Sequence, residues 1–274
     1  MTKVLILHPG AMGSSLGLNL NINDHETYWV SENRSTATAK RANDQGINEV
    51  SNLRQALDIA EVVISICPPS AAFDVAVSVA KHEFNGIYCD ANAVAPDTSL
   101  RIAEIFNDSY VDGAVVGPPS HSPGTTRLYL AGVNAHVIAK LFAGSHLGCC
   151  IMPKGVVSAS ALKMCYAAYT KGTAALILAL RAKAEHYGIS DALQQEWEQS
   201  IPGLWERSER MSQGVSRKAW RFAPEMREIA RSFEMASLPN GFHKAAAEIY
   251  ERMTSLRDVS EVSTAAIVKQ LLKS

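Results

Sequence analysis

The chain has almost no excess charge. Its 26 lysines and arginines face 27 acids, leaving a net charge of −1 over 274 residues. Both signs are spread along the chain, which argues against a nucleic-acid partner, because such proteins gather basic residues on one face. No apolar run approaches the length of a membrane span. The apolar stretch near the N-terminus is short and leads straight into a glycine turn, so no secretory leader is expected. The five cysteines, Cys67, Cys89, Cys149, Cys150 and Cys165, lack the spacing of metal ligands. Cys149 and Cys150 sit inside an apolar run and read as strand packing. These absences favour a reduced, cytoplasmic protein with no metal and no membrane partner.

What remains is an ordinary globular composition, 47% hydrophobic and 19% charged. A chain of this length fits one large domain or two of moderate size. The first half alternates. Apolar, β-rich runs occur at 4–7, 27–30, 62–67, 86–89 and 110–116, with helix-like stretches at 12–20, 35–45, 71–82 and 97–106 between them. Short runs separated by helices predict βαβ units and a parallel sheet with right-handed crossovers. Two more strands are expected at 126–131 and 147–152, with a helix at 135–142 between them. After Pro153 the pattern changes. Residues 156–188 contain no proline and are rich in alanine and leucine, which predicts one long, mostly buried helix. Helical periodicity recurs at 193–199, 204–213, 223–236 and 242–253. The expected division is an α/β domain over 1–152 and an all-helical domain over 153–274.

One further absence lies in the stretch VLILHPGAMGSSLG, residues 4–17. A dinucleotide-binding turn uses one glycine for a tight bend, a second for close approach of pyrophosphate and a third for helix–strand packing. Gly10 and Gly13 occupy the second and third positions, and Gly17 follows one helical turn later. His8 stands where the first glycine is usual, followed by Pro9. The backbone of Pro9, Gly10, Ala11 and Met12 is expected to line the phosphates at a helix N-terminus. The next strand ends in WVSENRS, where an acid suits the ribose of NAD and an arginine the 2′-phosphate of NADP. Glu32 and Arg34 supply both types. Arg34 with Asn33 and Ser35 forms a plausible phosphate clamp, which favours NADP(H) over NAD(H). Further along, SICPP carries Cys67 and Pro68, and DANAVAP carries Asp90 and Asn92. Both follow strands, and ligands of open α/β sheets collect at the carboxyl ends of strands. Ordinary turn chemistry explains such loops equally well.

The motifs HPGAMG, NRS, SICPP, DANAVAP, VDGAVVGPP, TTRLYLAG and SASALKM, in this order, resemble the β-hydroxyacid dehydrogenase and 6-phosphogluconate dehydrogenase superfamily. The resemblance covers almost the whole chain. Its second half is similar to a branch with a phosphogluconate-dehydrogenase-like helical domain of unknown substrate. It implies a Rossmann-type doubly wound sheet joined by a long interdomain helix to an all-α domain. Dimerisation through the helical domain is implied as well. It further implies NAD(P)-dependent hydride transfer on a small hydroxy acid, keto acid or related alcohol.

By the same resemblance, Lys163 matches the family's catalytic lysine, whose usual asparagine partner one turn later is here Ala167. Val116, Gly117 and Pro118 match the substrate loop, with Val116 replacing a serine and Pro118 replacing a glycine. Those changes put the usual grip on a substrate carboxylate in doubt. A lysine suits the chemistry because charge develops on the carbonyl oxygen as hydride arrives. The apolar neighbours Leu162, Met164 and Cys165 would lower its pKa. Thr170 and Lys171 share a helical face with Lys163 and are further substrate candidates, as is His243 beside a helix start. Two other readings stay open. Imine reductases share the fold, but the resemblance gives them an aspartate or tyrosine at the position of Lys163. A non-catalytic nucleotide-binding protein would explain the altered loop.

Overall fold

The computed structural model describes residues 1–257, 259 and 261–273. The chain forms two compact units, Met1–Met164 and Cys165–Ser274. The first is built on an eight-stranded sheet in the order β3-β2-β1-β4-β5-β6-β7-β8. Its strands are β1 (Lys3–Leu7), β2 (Glu26–Val30), β3 (Asn48–Val50), β4 (Val62–Ser65), β5 (Ile87–Asp90), β6 (Tyr110–Val116), β7 (Thr126–Ala131) and β8 (Leu147–Ile151). Helices α1 (Ala11–Ile22), α2 (Thr36–Asp44), α3 (Leu53–Ile59), α4 (Ala72–Ala80), α5 (Pro96–Phe106) and α6 (Ala135–Leu141) lie between strands.

The sheet is covered on both faces, and β1 shows how the sequence encodes this. Val4 and Ile6 enter one core with Leu16 and Leu20 of α1 and Ile138 of α6. Leu5 and Leu7 enter the other core with Leu57 of α3, Val79 of α4 and Ile102 of α5. Alternate residues of a strand face opposite sides, so a strand buried on both sides reads as a continuous apolar run. The strand order reverses between β1 and β4, where Leu7 is the Cα partner of Ser65. Ligands of this architecture bind at such a switch point.

The sheet departs from the expected all-parallel form at one edge. β7 runs antiparallel to β6, with Val116 opposite Arg127 and Asp112 opposite Ala131. The connection between them has three prolines and no helix, too little chain for a parallel crossover. β8 then pairs parallel to β7. Three elements had not been anticipated: β3, α3 and α12 (Thr264–Leu271). β3 spans only three residues, two of them polar and exposed, and so presents no apolar run. β4 ends at Ser65 rather than at 67, because the N–H of Cys67 turns to the side chain of Asn92.

Helix α7 (Ser158–His186) runs 29 residues, as its composition predicted. The division between the two compact units falls inside it, after Met164. Its first turns belong with the sheet: Ala159 packs against Ala114 and Ala131, and Ser160 bonds to Asp112. The second unit continues with α8 (Ser190–Ser200), α9 (Leu204–Ser216), α10 (Ala219–Met235), α11 (Gly241–Glu251) and α12. Within it, Arg181 of α7 reaches Ser208 at 2.8 Å and Glu209 at 2.5 Å on α9. The hydroxyl of Tyr250 on α11 donates to the carbonyl of Lys171 at 2.7 Å. Among the described residues no helix is long and apolar enough to cross a membrane.

Candidate functional site

The glycine turn closes tightly without a first glycine. The N–H of Gly10 donates to the carbonyl of His8 at 2.8 Å, and that of Ser14 to Gly10 at 2.9 Å. Gly13 has an internal reason to be glycine, since a Cβ there would lie 2.4 Å from the His8 carbonyl oxygen and 2.9 Å from Ile66 Cγ2. Gly17 is similarly pressed against Ile47. Gly10 has none: nothing lies within 4 Å of a Cβ built on it. The space over Gly10 is therefore open, at the N-terminus of α1, beside the switch point. A pyrophosphate fits this cradle, where a helix dipole and free N–H groups favour an anion.

His8 sits at the end of β1. Burial, and then the nearby charge of Arg34, push its pKa down to about 4, so its imidazole is neutral at pH 7. Arg34 follows Asn33, whose φ of 56° turns the chain sharply after β2. Ser35 caps α2, accepting from the N–H of Thr38 at 3.3 Å. Asn33, Arg34 and Ser35 are all exposed. Together they present a guanidinium and the start of a helix at the end of β2.

The loops after β4 and β5 are tied to each other. Asn92 is buried; its Oδ1 accepts from the Cys67 N–H and its Nδ2 donates to Ser65 Oγ at 3.1 Å. Both ends of its amide are thus used inside the protein, bracing the loop that carries Cys67 and the exposed Pro68. Burial, then the charge of Asp90, push the Cys67 thiol up to about 12, so it is no nucleophile.

Two acids lie deeper. Asp90 and Asp112 are Cα partners on β5 and β6, and both are buried. Burial drives Asp90 up to about 7, opposed by the N–H of Asn92, which donates to its Oδ1 at 2.8 Å, and reinforced by the charge of Asp112. Burial also drives Asp112 up to about 6, opposed by bonds from Ser160 and Ser99. An acid inside the apolar strand run at 110–116 was the sequence signal for Asp112, and it had not been read as part of the site.

Lys163 stands on the second turn of α7, half-buried, and its Nζ donates to the carbonyl of Val115 at 2.7 Å. That carbonyl is one residue before Val116 and the loop of Gly117 and Pro118. Gly117 has φ of 131° and no room for a Cβ, which would lie 2.5 Å from the Thr125 carbonyl oxygen. Thr126 Oγ1 donates to the Pro118 carbonyl at 2.5 Å, and Asn19 Nδ2 to the Ser120 carbonyl at 2.9 Å. The loop is held from both sides, and Val116 is buried.

The remaining candidates lie in the second unit. Lys171 is ion-paired with Glu225 of α10 at 2.8 Å, with its Nζ 5.0 Å from the Phe222 ring. Thr170 bonds back to the carbonyl of Tyr166 at 3.1 Å. His243 is buried against Phe233, with ring centroids 4.1 Å apart. Burial lowers its pKa.

The chain thus combines an α/β unit, with an open glycine turn at its switch point, and a following helical unit. Comparison with known proteins narrows this. A family model described as a domain of unknown function (DUF1932) matches residues 184–253. An uncharacterized 28.5 kDa protein of Methanothermus fervidus is 30% identical over 161 residues, covering 58% of this chain and 62% of that protein. The match thus spans less than two thirds of the relative's length. A conserved hypothetical protein from Sinorhizobium meliloti superposes with a TM-score of 0.71 at 24% identity, over 99% of this chain and 96% of that one. The 3-hydroxyisobutyrate dehydrogenase of Mycobacterium tuberculosis, solved with L-serine, gives 0.71 at 15% identity over 100% of both chains. The chain therefore has the β-hydroxyacid dehydrogenase-like fold that its motifs imply.

Proposed function

We propose that the chain is an NAD(P)-dependent oxidoreductase that moves a hydride between NADP(H) and a small hydroxy acid, keto acid or related alcohol. The observation that carries this reading is the Lys163 ammonium held 2.7 Å from the Val115 carbonyl, in the α/β unit that also presents the glycine cradle. Gly10 and the N-terminus of α1 would hold the pyrophosphate, with His8, Pro9, Ala11, Met12 and Gly13 shaping the turn. Arg34, with Asn33 and Ser35, would take the 2′-phosphate, which favours NADP(H) over NAD(H). The nicotinamide, when bound, supplies or accepts the hydride. Lys163 would donate a hydrogen bond to the substrate oxygen, steady its developing charge and release a proton from Nζ. In the oxidative direction its neutral amine would take the hydroxyl proton. Cys67 and Pro68 line the loop beside this region, which Asn92 braces. Val116, Gly117 and Pro118 would form the substrate wall. Lys171 already faces Glu225 and His243 is enclosed by aromatic rings, so neither is assigned a substrate role. The chain is further proposed to dimerise through its helical unit, where Tyr166, Tyr169, Leu176 and Leu180 lie exposed along α7.

The test is Lys163→Met. NADPH titration, followed by fluorescence, is expected to be unchanged. Turnover across a panel of hydroxy acids, keto acids and alcohols is expected to fall by about 10²–10⁴-fold, the range of a general acid–base group. Full activity in the variant would remove Lys163 from the chemistry. Turnover of cyclic imines alone would replace the substrate class.

A further inference from the structure

We propose that Asp112 and Ser160 form a positioning pair that seats the first turn of α7 on β6 and thereby sets where the Lys163 ammonium stands. The inference rests on the reading of Lys163 as the acid–base group.

Two contacts join the same two elements. Ser160 meets Asp112, its N–H donating to Oδ2 at 2.9 Å and its hydroxyl to Oδ1 at 2.5 Å. Lys163 meets Val115 at 2.7 Å. Both contacts join residues 48 apart in sequence, so a step of three residues along β6 matches a step of three along α7. A helix turns through about 100° per residue, so three residues return to nearly the same face. Two contacts on that face fix both the height and the rotation of the helix end. Ala159 packs the same turn against Ala114 and Ala131, and the loss of either polar contact loosens the rotation that this packing alone sets less sharply.

The anchor is stiff. Asp112 and Ser160 are at most 1% exposed. Ser99 of α5 braces the carboxylate, its hydroxyl 3.2 Å from Oδ1 and 2.7 Å from the Tyr110 hydroxyl. The N–H groups of a helix's first turn have no partner within the helix, so a carboxylate there satisfies one of them and complements the dipole. A buried cap of that kind explains stability. The matched spacing to the lysine contact makes it a positioning device as well, because Lys163 cannot keep its carbonyl partner if the turn rolls.

The experiment labels Lys163 of the full chain with trinitrobenzenesulfonate and follows the modified peptide by mass spectrometry. Ser160→Ala removes the hydroxyl contact while keeping the N–H. Its Lys163 is expected to label several-fold faster than in the native protein, with NADPH affinity unchanged. Asp112→Asn should act in the same direction, and the double variant should add little to either single change. Unchanged labelling in folded variants overturns the proposal. If the variants do not fold, hydrogen exchange of the native protein decides. The Ala159 and Ser160 amides, both facing the Asp112 carboxylate, are expected to be far better protected than the amides of residues 155–157 before the helix, and equal exchange overturns the pairing. Unchanged labelling in Ser160→Ala leaves the role of Lys163 standing. Full activity of Lys163→Met leaves the seat of the helix standing.

Discussion

At the scale of single residues, the glycine turn separates two kinds of necessity. Gly13 answers to the protein itself, because any side chain there meets the backbone oxygen of His8. Gly10 answers to nothing within the protein. Gly13→Ala is therefore expected to destabilise the fold by roughly 1–3 kcal/mol, as overpacking does. Gly10→Ala should leave the melting temperature within a degree or two of native while weakening NADPH binding; calorimetry of both variants with and without NADPH checks this. Equal loss of stability in both would remove the phosphate reading of Gly10. Asp90 offers a test of charge. Its folded pKa, about 7, lies above the usual carboxylate value of 3.8. The folded state thus binds its proton more tightly than the unfolded one, and stability falls as pH rises from about 4 to about 7. Asp90→Asn mimics the protonated acid. Its stability advantage over the native chain is expected to grow by roughly 2–4 kcal/mol across that range and then level off. Denaturant unfolding at pH 5 and pH 8 measures it.

At the scale of elements, the sequence made long, periodic segments readable and left the short ones hidden. β1, β6 and α7 carry continuous apolar or helical patterns and lie where those patterns put them. β3 and α3 are three and seven residues long, too brief to repeat a period. The reversed direction of β7 is set by the connection before it, a loop without a helix, rather than by the strand's own residues. The site was legible in the same uneven way. Lys163 stood out through the family resemblance, Gly10 through the glycine spacing of its turn, and Arg34 through its place after β2. Asp112 and Ser160 did not, because an aspartate and a serine 48 residues apart give no sign of meeting until both elements are packed. Asn92 was legible as a loop residue, yet its amide turned out to be spent on Ser65 and Cys67.

At the scale of the whole molecule, the exposed side chains on α7 carry the prediction. Tyr169 is 74% exposed and Leu176 45% exposed, on a helix that is otherwise well packed. Large apolar groups clustered in water mark an association surface. Leu176→Glu is expected to convert a dimer to a monomer in sedimentation experiments, with the far-ultraviolet spectrum unchanged. A native chain that sediments as a monomer at all concentrations would contradict the dimer.

The antiparallel step at β7 has its own consequence. β6 ends at the end of the sheet where the glycine turn lies, and β7 carries the chain back to the opposite end. α7 therefore starts low and climbs alongside β6 until Lys163 comes level with Val115. Chain length matters very differently along this path. An insertion at the turn around Gly155, before the climb begins, only lengthens a loop. A single residue inserted between Ser160 and Lys163 would swing the lysine about 100° around the helix and away from the strand. Homologous chains can thus vary freely in how they reach the foot of this helix, while the three-residue interval above it behaves as a fixed gauge.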